Sequence, residues 1–169
     1  GFWGLGASYA LGVTNDPSFV PMFIAANIIG GAVAQYPIGM ASDRIDRRYV
    51  LAALCAASGL SAFGLLMAET RDALLLGAFA FGAFANSLYA VSLAKAADNS
   101  KSDEFVTIGS SVLLLNALGS ASSALVIGWA MRSLGDSALF GFLGVASLIT
   151  GVFIILQPRG RTAVTIEEQ

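Results

Sequence analysis

The sequence predicts an all-α integral membrane protein built from six transmembrane helices. Three observations carry that expectation. Only 12% of the 169 residues are charged while 56% are hydrophobic, about half the charge that a water-facing domain carries. Mean hydropathy is +0.76. Apolar runs recur along the whole chain with short polar turns between them, several reaching the roughly 20 residues that a bilayer-spanning helix needs.

The same composition excludes several chemistries. There is no histidine, which removes imidazole ligation of haem, the common zinc sites and any serine or cysteine nucleophile that relies on a histidine base. Cys55 is the single cysteine and lies inside an apolar run, so it reads as a small buried hydrophobe. The net charge of −2 offers no basic surface for nucleic acid. No G-x-x-x-x-G-K-[ST] phosphate loop occurs. An enzyme is not expected, and neither is a cofactor or a metal.

Taken in order, the first segment covers residues 1–14 and ends at Thr14-Asn15-Asp16-Pro17. At about 1.5 Å per residue it crosses roughly 20 Å of a hydrocarbon layer about 30 Å thick, so a truncated first helix is expected. No basic signal-peptide start precedes it. The second span runs over about 18–41, the third 49–67, the fourth 73–95, the fifth 105–131 and the sixth 136–156. The turns "AETRD" (68–72), "AADNSKSDE" (96–104) and "RSLGD" (132–136) are short, which makes successive helices antiparallel neighbours in a bundle. Residues 157–169 form a polar tail. Small residues within the spans, among them Gly30, Gly31, Gly77, Gly82 and Gly119, suit close helix contact in lipid.

Lysine and arginine set the orientation. Seven of the nine (Arg44, Arg47, Arg48, Lys95, Lys101, Arg159 and Arg161) fall at one end of the bundle, and Arg71 and Arg132 at the other. The turn at 42–48, the loop at 96–104 and the tail are therefore expected in the cytoplasm, and Trp129 near the opposite interface.

The turn "GMASDRIDRR", Gly39 to Arg48, places five charges in six residues. Arg44 at the end of the second span and Asp46 before the third both suit their helix dipoles. Asp43 does not: a carboxylate at a helix C-terminus is disfavoured and needs a partner. Arg47 and Arg48 sit equally badly at a helix start. Two mismatches of opposite sign, close together, point to a paired network. A bare topology signal explains the arginines but leaves Asp43 unexplained.

This stretch, Gly39 to Leu51, resembles the signature of the major facilitator superfamily: glycine, small or apolar residues, Asp-Arg, one residue, glycine, then two basic residues. In that family the signature occupies the cytoplasmic turn between the second and third helices of each six-helix half. The resemblance extends over the chain as one such half, with Asp46 standing where the family usually has glycine. It implies that Gly39 permits close helix contact, and that Asp43, Arg44, Arg47 and Arg48 form a charge network gating the cytoplasmic side. It also implies that Asp43 partners Arg47 and the start of the fifth span, near Glu104 to Thr107. A clear signature favours a first half. The absence of a Gly-Pro pair in the fifth span, of an arginine in the fourth, and the short tail favour the C-terminal half, helices seven to twelve. The balance goes to the latter.

Transporter sites lie near the bilayer midplane between the halves, so polar residues within spans are the pointers. Asn27 and Gln35 share a face of the second span, Asn86 and Tyr89 are three apart on the fourth, and Asn116, Ser120 and Ser123 stripe the fifth. Trp3 and Tyr9 are the candidates on the first. Asn27, Gln35, Asn86, Tyr89, Asn116 and Ser120 form the expected solute cavity; the plain alternative is interhelical hydrogen bonding. No complete span carries a carboxylate deep within it, so the carboxylate of any proton coupling is expected in the other half.

The expected function is a bacterial-type secondary transporter of the plasma membrane, moving a small solute by alternating access, with the other six-helix half and the lipid bilayer as partners. The competing expectation is a non-transporting six-helix scaffold or accessory subunit.

Overall fold

The computed structural model describes residues 2–98 and 105–156. Within them the chain forms six helices: α1 (Phe2–Thr14), α2 (Phe19–Arg44), α3 (Arg47–Leu66), α4 (Arg71–Asp98), α5 (Phe105–Leu134) and α6 (Ala138–Leu156). Five of them, α2 to α6, are long and apolar enough to cross a membrane. The 13-residue α1 is shorter than a span. The loop at 99–104 and the tail at 157–169 lie outside the described residues.

α2, α4 and α5 run past the apolar stretches that announced them, because helical backbone hydrogen bonding continues into the polar turns, whereas α6 starts two residues late, at Ala138. α2 ends at Arg44 rather than near residue 41, which puts Asp43 and Arg44 inside its last turn. α3 starts at Arg47, with Asp46 as its N-cap: the Asp46 side chain accepts from the Arg48 backbone N–H at 2.9 Å. Asp46 has φ −50°, so this turn uses no left-handed residue where the family's glycine would stand. Left-handed backbone appears instead at Asn15 (φ 50°) and Gly135 (φ 88°). They close α1 and α5 by donating to the carbonyls of Leu11 and Met131, the αL stop that asparagine and glycine reach at least cost.

Three helix pairs organise the bundle, α2 with α4, α3 with α6, and α3 with α4. Lipid supplies no hydrophobic force between helices, so close backbone approach and dispersion must hold them. Glycines make the approach possible. A Cβ on Gly30 would collide with the Phe79 carbonyl and one on Gly82 with the Asn27 carbonyl, so each helix seats a glycine on the other's backbone. Gly59 and Gly144 do the same for α3 and α6, each facing the other's carbonyl oxygen at 3.2 and 3.4 Å.

α1 joins the core through aromatic rings. Phe2, Tyr9, Phe23, Phe81 and Phe140, from α1, α2, α4 and α6, have ring centroids 4.6 to 6.4 Å apart. Tyr9 is 2% exposed and donates its hydroxyl to the Leu65 carbonyl at 3.0 Å. Such pairs prefer tilted or edge-to-face geometry, as Tyr9 and Phe140 adopt at 4.6 Å and 79°. α5 contrasts with the rest: little of it is buried, and Leu113, Leu114, Leu115, Leu118 and Leu125 project outward.

Candidate functional site: a polar cavity and a charged turn

α2, α4 and α5 border a cavity of about 540 Å³. Its lining is Ile28, Gly31, Ala32 and Gln35 from α2, Ala85, Asn86 and Tyr89 from α4, and Asn116 and Ser120 from α5. Five of the six residues expected at a solute cavity, Gln35, Asn86, Tyr89, Asn116 and Ser120, are thus brought together. The sixth, Asn27, is not. It is 1% exposed, inside the α2–α4 seam, and its Nδ2 donates to the Ala78 carbonyl at 3.3 Å. One turn of α2 separates Asn27 from Gly31, and the rotation that faces Gly31 to the cavity turns Asn27 toward α4. Spacing at i+4 kept the two on one face but could not say which part of that face α4 covers. Tyr9 is likewise absent from the lining, committed to the aromatic core; the Trp3 side chain lies outside the described residues.

The lining has a consistent chemistry. It contains no charged side chain. Among the described residues, the side chains of Gln35, Tyr89 and Asn116 and the Oδ1 of Asn86 have no hydrogen-bond partner within the chain. A cavity wall that keeps this many donors and acceptors open is equipped to bind a polar molecule. Ile28, Ala32 and Ala85 carry no signal in the sequence, since small and aliphatic residues on a transmembrane helix have no distinguishing chemistry, and Gly31 stands out there only as a small residue suited to helix contact.

Gln35 also borders a second, smaller cavity of about 130 Å³ between α2 and α4, toward the charged end, with Gly39, Ser42, Asp43 and Ser87. The position of a Cβ on Gly39 is open, with no atom within 4 Å. Pro37 lies inside α2, two residues after Gln35. It has no N–H, so the Val33 carbonyl loses its helical donor at this point.

In the charged turn, Arg47 Nη2 donates to Asp43 Oδ1 at 3.2 Å. The pair bridges the last turn of α2 and the first residue of α3, with Asp43 70% exposed and Arg47 20% exposed. The dipole mismatch of Asp43 is therefore met by the mismatch of Arg47. Arg48 goes elsewhere. Its Nε donates to the Ile154 carbonyl at 2.8 Å and its Nη2 to the Ile155 carbonyl, both in the last turn of α6. There it satisfies carbonyls that have no helical donor and places a cation at the negative end of the helix. Arg44 makes no side-chain hydrogen bond among the described residues. The expected contact of Asp43 with the start of the fifth span falls on side chains outside the described residues.

At the opposite end, Asp16 ties the α1–α2 turn to α4. Its Oδ1 accepts from the backbone N–H and the hydroxyl of Ser18 at 2.9 and 2.7 Å, and its Oδ2 from Arg71 Nη2 at 2.7 Å. The hydrogen bonds from Ser18, then the Arg71 guanidinium, hold its carboxyl below the ordinary value of 3.8. Among the described residues no group of three or more acidic, cysteine or histidine side chains is placed to hold a metal ion.

Comparison with known proteins agrees with this architecture. The family model described as Major Facilitator Superfamily matches residues 1–169. A curated relative from Escherichia fergusonii, an "Uncharacterized MFS-type transporter YcaD", is 26% identical over 148 residues, 88% of this chain. The chain spans 37% of that relative's length. No solved structure matches the chain significantly.

Proposed function

The chain belongs to the major facilitator superfamily, and from that premise we propose that it is one six-helix half of a secondary transporter that moves a small solute by alternating access. The observation that carries this reading is the cavity on α2, α4 and α5, where Gln35, Asn86, Tyr89, Asn116 and Ser120 converge with their hydrogen-bonding capacity largely unspent. A scaffold has no use for such a wall, whereas a transporter must offer a solute partners that replace its water. The second half covers the open side of the cavity and the outward faces of α2 and α5. This half is the C-terminal one, helices seven to twelve of the permease. The charged end faces the cytoplasm of a bacterial plasma membrane, on the asymmetry of lysine and arginine.

Within this reading the charged turn divides its labour. Gly39 leaves an open notch beside Asp43, at which the other half closes. Asp43 and Arg47, paired across an exposed turn, re-pair as it opens; an exposed pair is worth about 0–1 kcal/mol, small enough to break in every cycle. Arg48 holds α3 to α6 so that the half moves as one body.

Sidedness of labelling tests the mechanism without knowledge of the solute. In the full-length permease, with Cys55 replaced by serine, Asn116→Cys is exposed to a membrane-impermeant maleimide in right-side-out and inside-out vesicles. Alternating access predicts labelling from both faces. Asp43→Asn, with normal insertion, shifts labelling toward the cytoplasmic face. Labelling from one face only, unchanged by Asp43→Asn, sinks both the mechanism and the gate.

A further inference from the structure

Three features meet at Asn86. The first is a notch: a Cβ on Gly31 would stand 2.5 Å from Asn86 Nδ2 and 3.0 Å from its Cβ, so the carboxamide rests on the bare α-carbon of Gly31. The second is an anchor. Asn86 Nδ2 donates to the backbone carbonyl of Asn27 at 3.5 Å, and a carbonyl accepts only, so the amide nitrogen must be the arm that points there. That bond is long and weak by itself; the notch supplies the rest of the restraint. The third is the rigidity of the anchor. Asn27 is fully buried, its side chain is held by the Ala78 carbonyl, and its own carbonyl lies against Gly82.

We propose that Gly31 and the Asn27 carbonyl fix the Asn86 carboxamide with its Oδ1 toward the cavity, so that this wall selects a solute group that is uncharged and donates hydrogen bonds, a hydroxyl or an N–H. Asn86 is then a specificity-determining residue, and Gly31 a positioning residue that acts through it. The inference rests on the cavity being the solute site and adds its chemistry. An anion meets a fixed carbonyl oxygen and no guanidinium or ammonium. A cation without N–H or O–H groups meets no carboxylate. A neutral donor finds the acceptor already oriented, with Gln35, Tyr89 and Asn116 free to complete the set. Pre-orientation of this kind spares the solute the cost of ordering the side chain.

The test uses the full-length permease with Cys55 replaced by serine and Ala32→Cys, a cavity-lining position that gives the solute no side-chain hydrogen bond. It measures protection of that cysteine from maleimide by four probes. Xylitol and ethylurea are uncharged donors; succinate and tetramethylammonium are ions without N–H or O–H donors. At least one of the first pair protects, and neither ion does. Asn86→Leu abolishes the protection. Gly31→Ala raises the half-protecting concentration about tenfold, the loss of one neutral hydrogen bond, whatever it does to the thermal midpoint. A role for Gly31 in packing alone moves the midpoint and leaves the half-protecting concentration unchanged, which overturns the proposal. Protection by an ion alone, or by no probe, overturns it too. In those cases labelling of Asn116→Cys from both faces still upholds the transporter reading, whereas labelling from one face only removes that reading as well.

Discussion

Replacing Arg48 by methionine separates the two jobs that the charged turn contains. Methionine keeps the length and apolar stem of the side chain and removes the cation together with two hydrogen bonds, to the carbonyls of Ile154 and Ile155 at the end of α6. A hydrogen bond from a charged donor contributes about 1.5–3 kcal/mol, and a cation at a helix C-terminus about 0.3–1 kcal/mol. The bond to Ile154 is partly buried and the one to Ile155 is exposed, so solvent takes over much of the second. The net loss is about 2–3 kcal/mol. For a cooperative unit of this size, each kcal/mol moves the midpoint by roughly 2–4 °C, giving a fall of about 4–12 °C. The assay is thermal unfolding of the full-length permease in detergent, paired with two-sided labelling of Asn116→Cys. The midpoint drops, while the ratio of labelling from the two faces stays that of the parent. An unchanged midpoint with a shifted ratio would place Arg48 in the gate with Asp43 and refute the staple.

Three further outcomes follow from the packing. Gly82→Val drives a side chain into the Asn27 carbonyl, which cannot move without parting α2 from α4; it costs about 1–3 kcal/mol and lowers the yield of folded permease, whereas Gly39→Ala, with open space at its Cβ, keeps that yield. Tyr9→Phe removes the buried hydroxyl's bond to the Leu65 carbonyl, which keeps the Ala68 N–H at 3.3 Å, lowering stability by about 1 kcal/mol in thermal unfolding while sidedness at Asn116→Cys is unaltered. For Asp16, the carboxyl held below 3.8 by Ser18 and Arg71 favours the folded state above that ordinary value. The contribution disappears as pH falls through the lower, folded-state value. Asp16→Asn therefore flattens the acid limb of a plot of thermal midpoint against pH and leaves its neutral part parallel; an acid limb as steep as the parent's removes Asp16 from the acid response.

The sequence by itself determined the class of solvent, the helices and the polar residues available to a site. Scarce charge and recurrent apolar runs demand a bilayer, and backbone groups in lipid must be satisfied within each helix, so span number follows from hydropathy. Asp46 was legible as a cap and Asp43 as a carboxylate in need of a partner, because helix ends impose local electrostatics. What local rules cannot supply is rotation and distance. Asn27 and Gln35 share a face by spacing, yet only the depth at which α4 sits on Gly30 decided that Asn27 is buried and Gln35 is open. Arg47 and Arg48 are neighbours with the same charge, yet one reaches four residues back to Asp43 and the other 106 residues on to Ile154. Gly31 is one small residue among many until Asn86 is seen resting on it. Periodicity fixes which side chains share a stripe on one helix. Which part of the stripe meets a neighbour, and which is left to a solute, is set by how closely the helices approach, and that distance exists only in the assembled bundle.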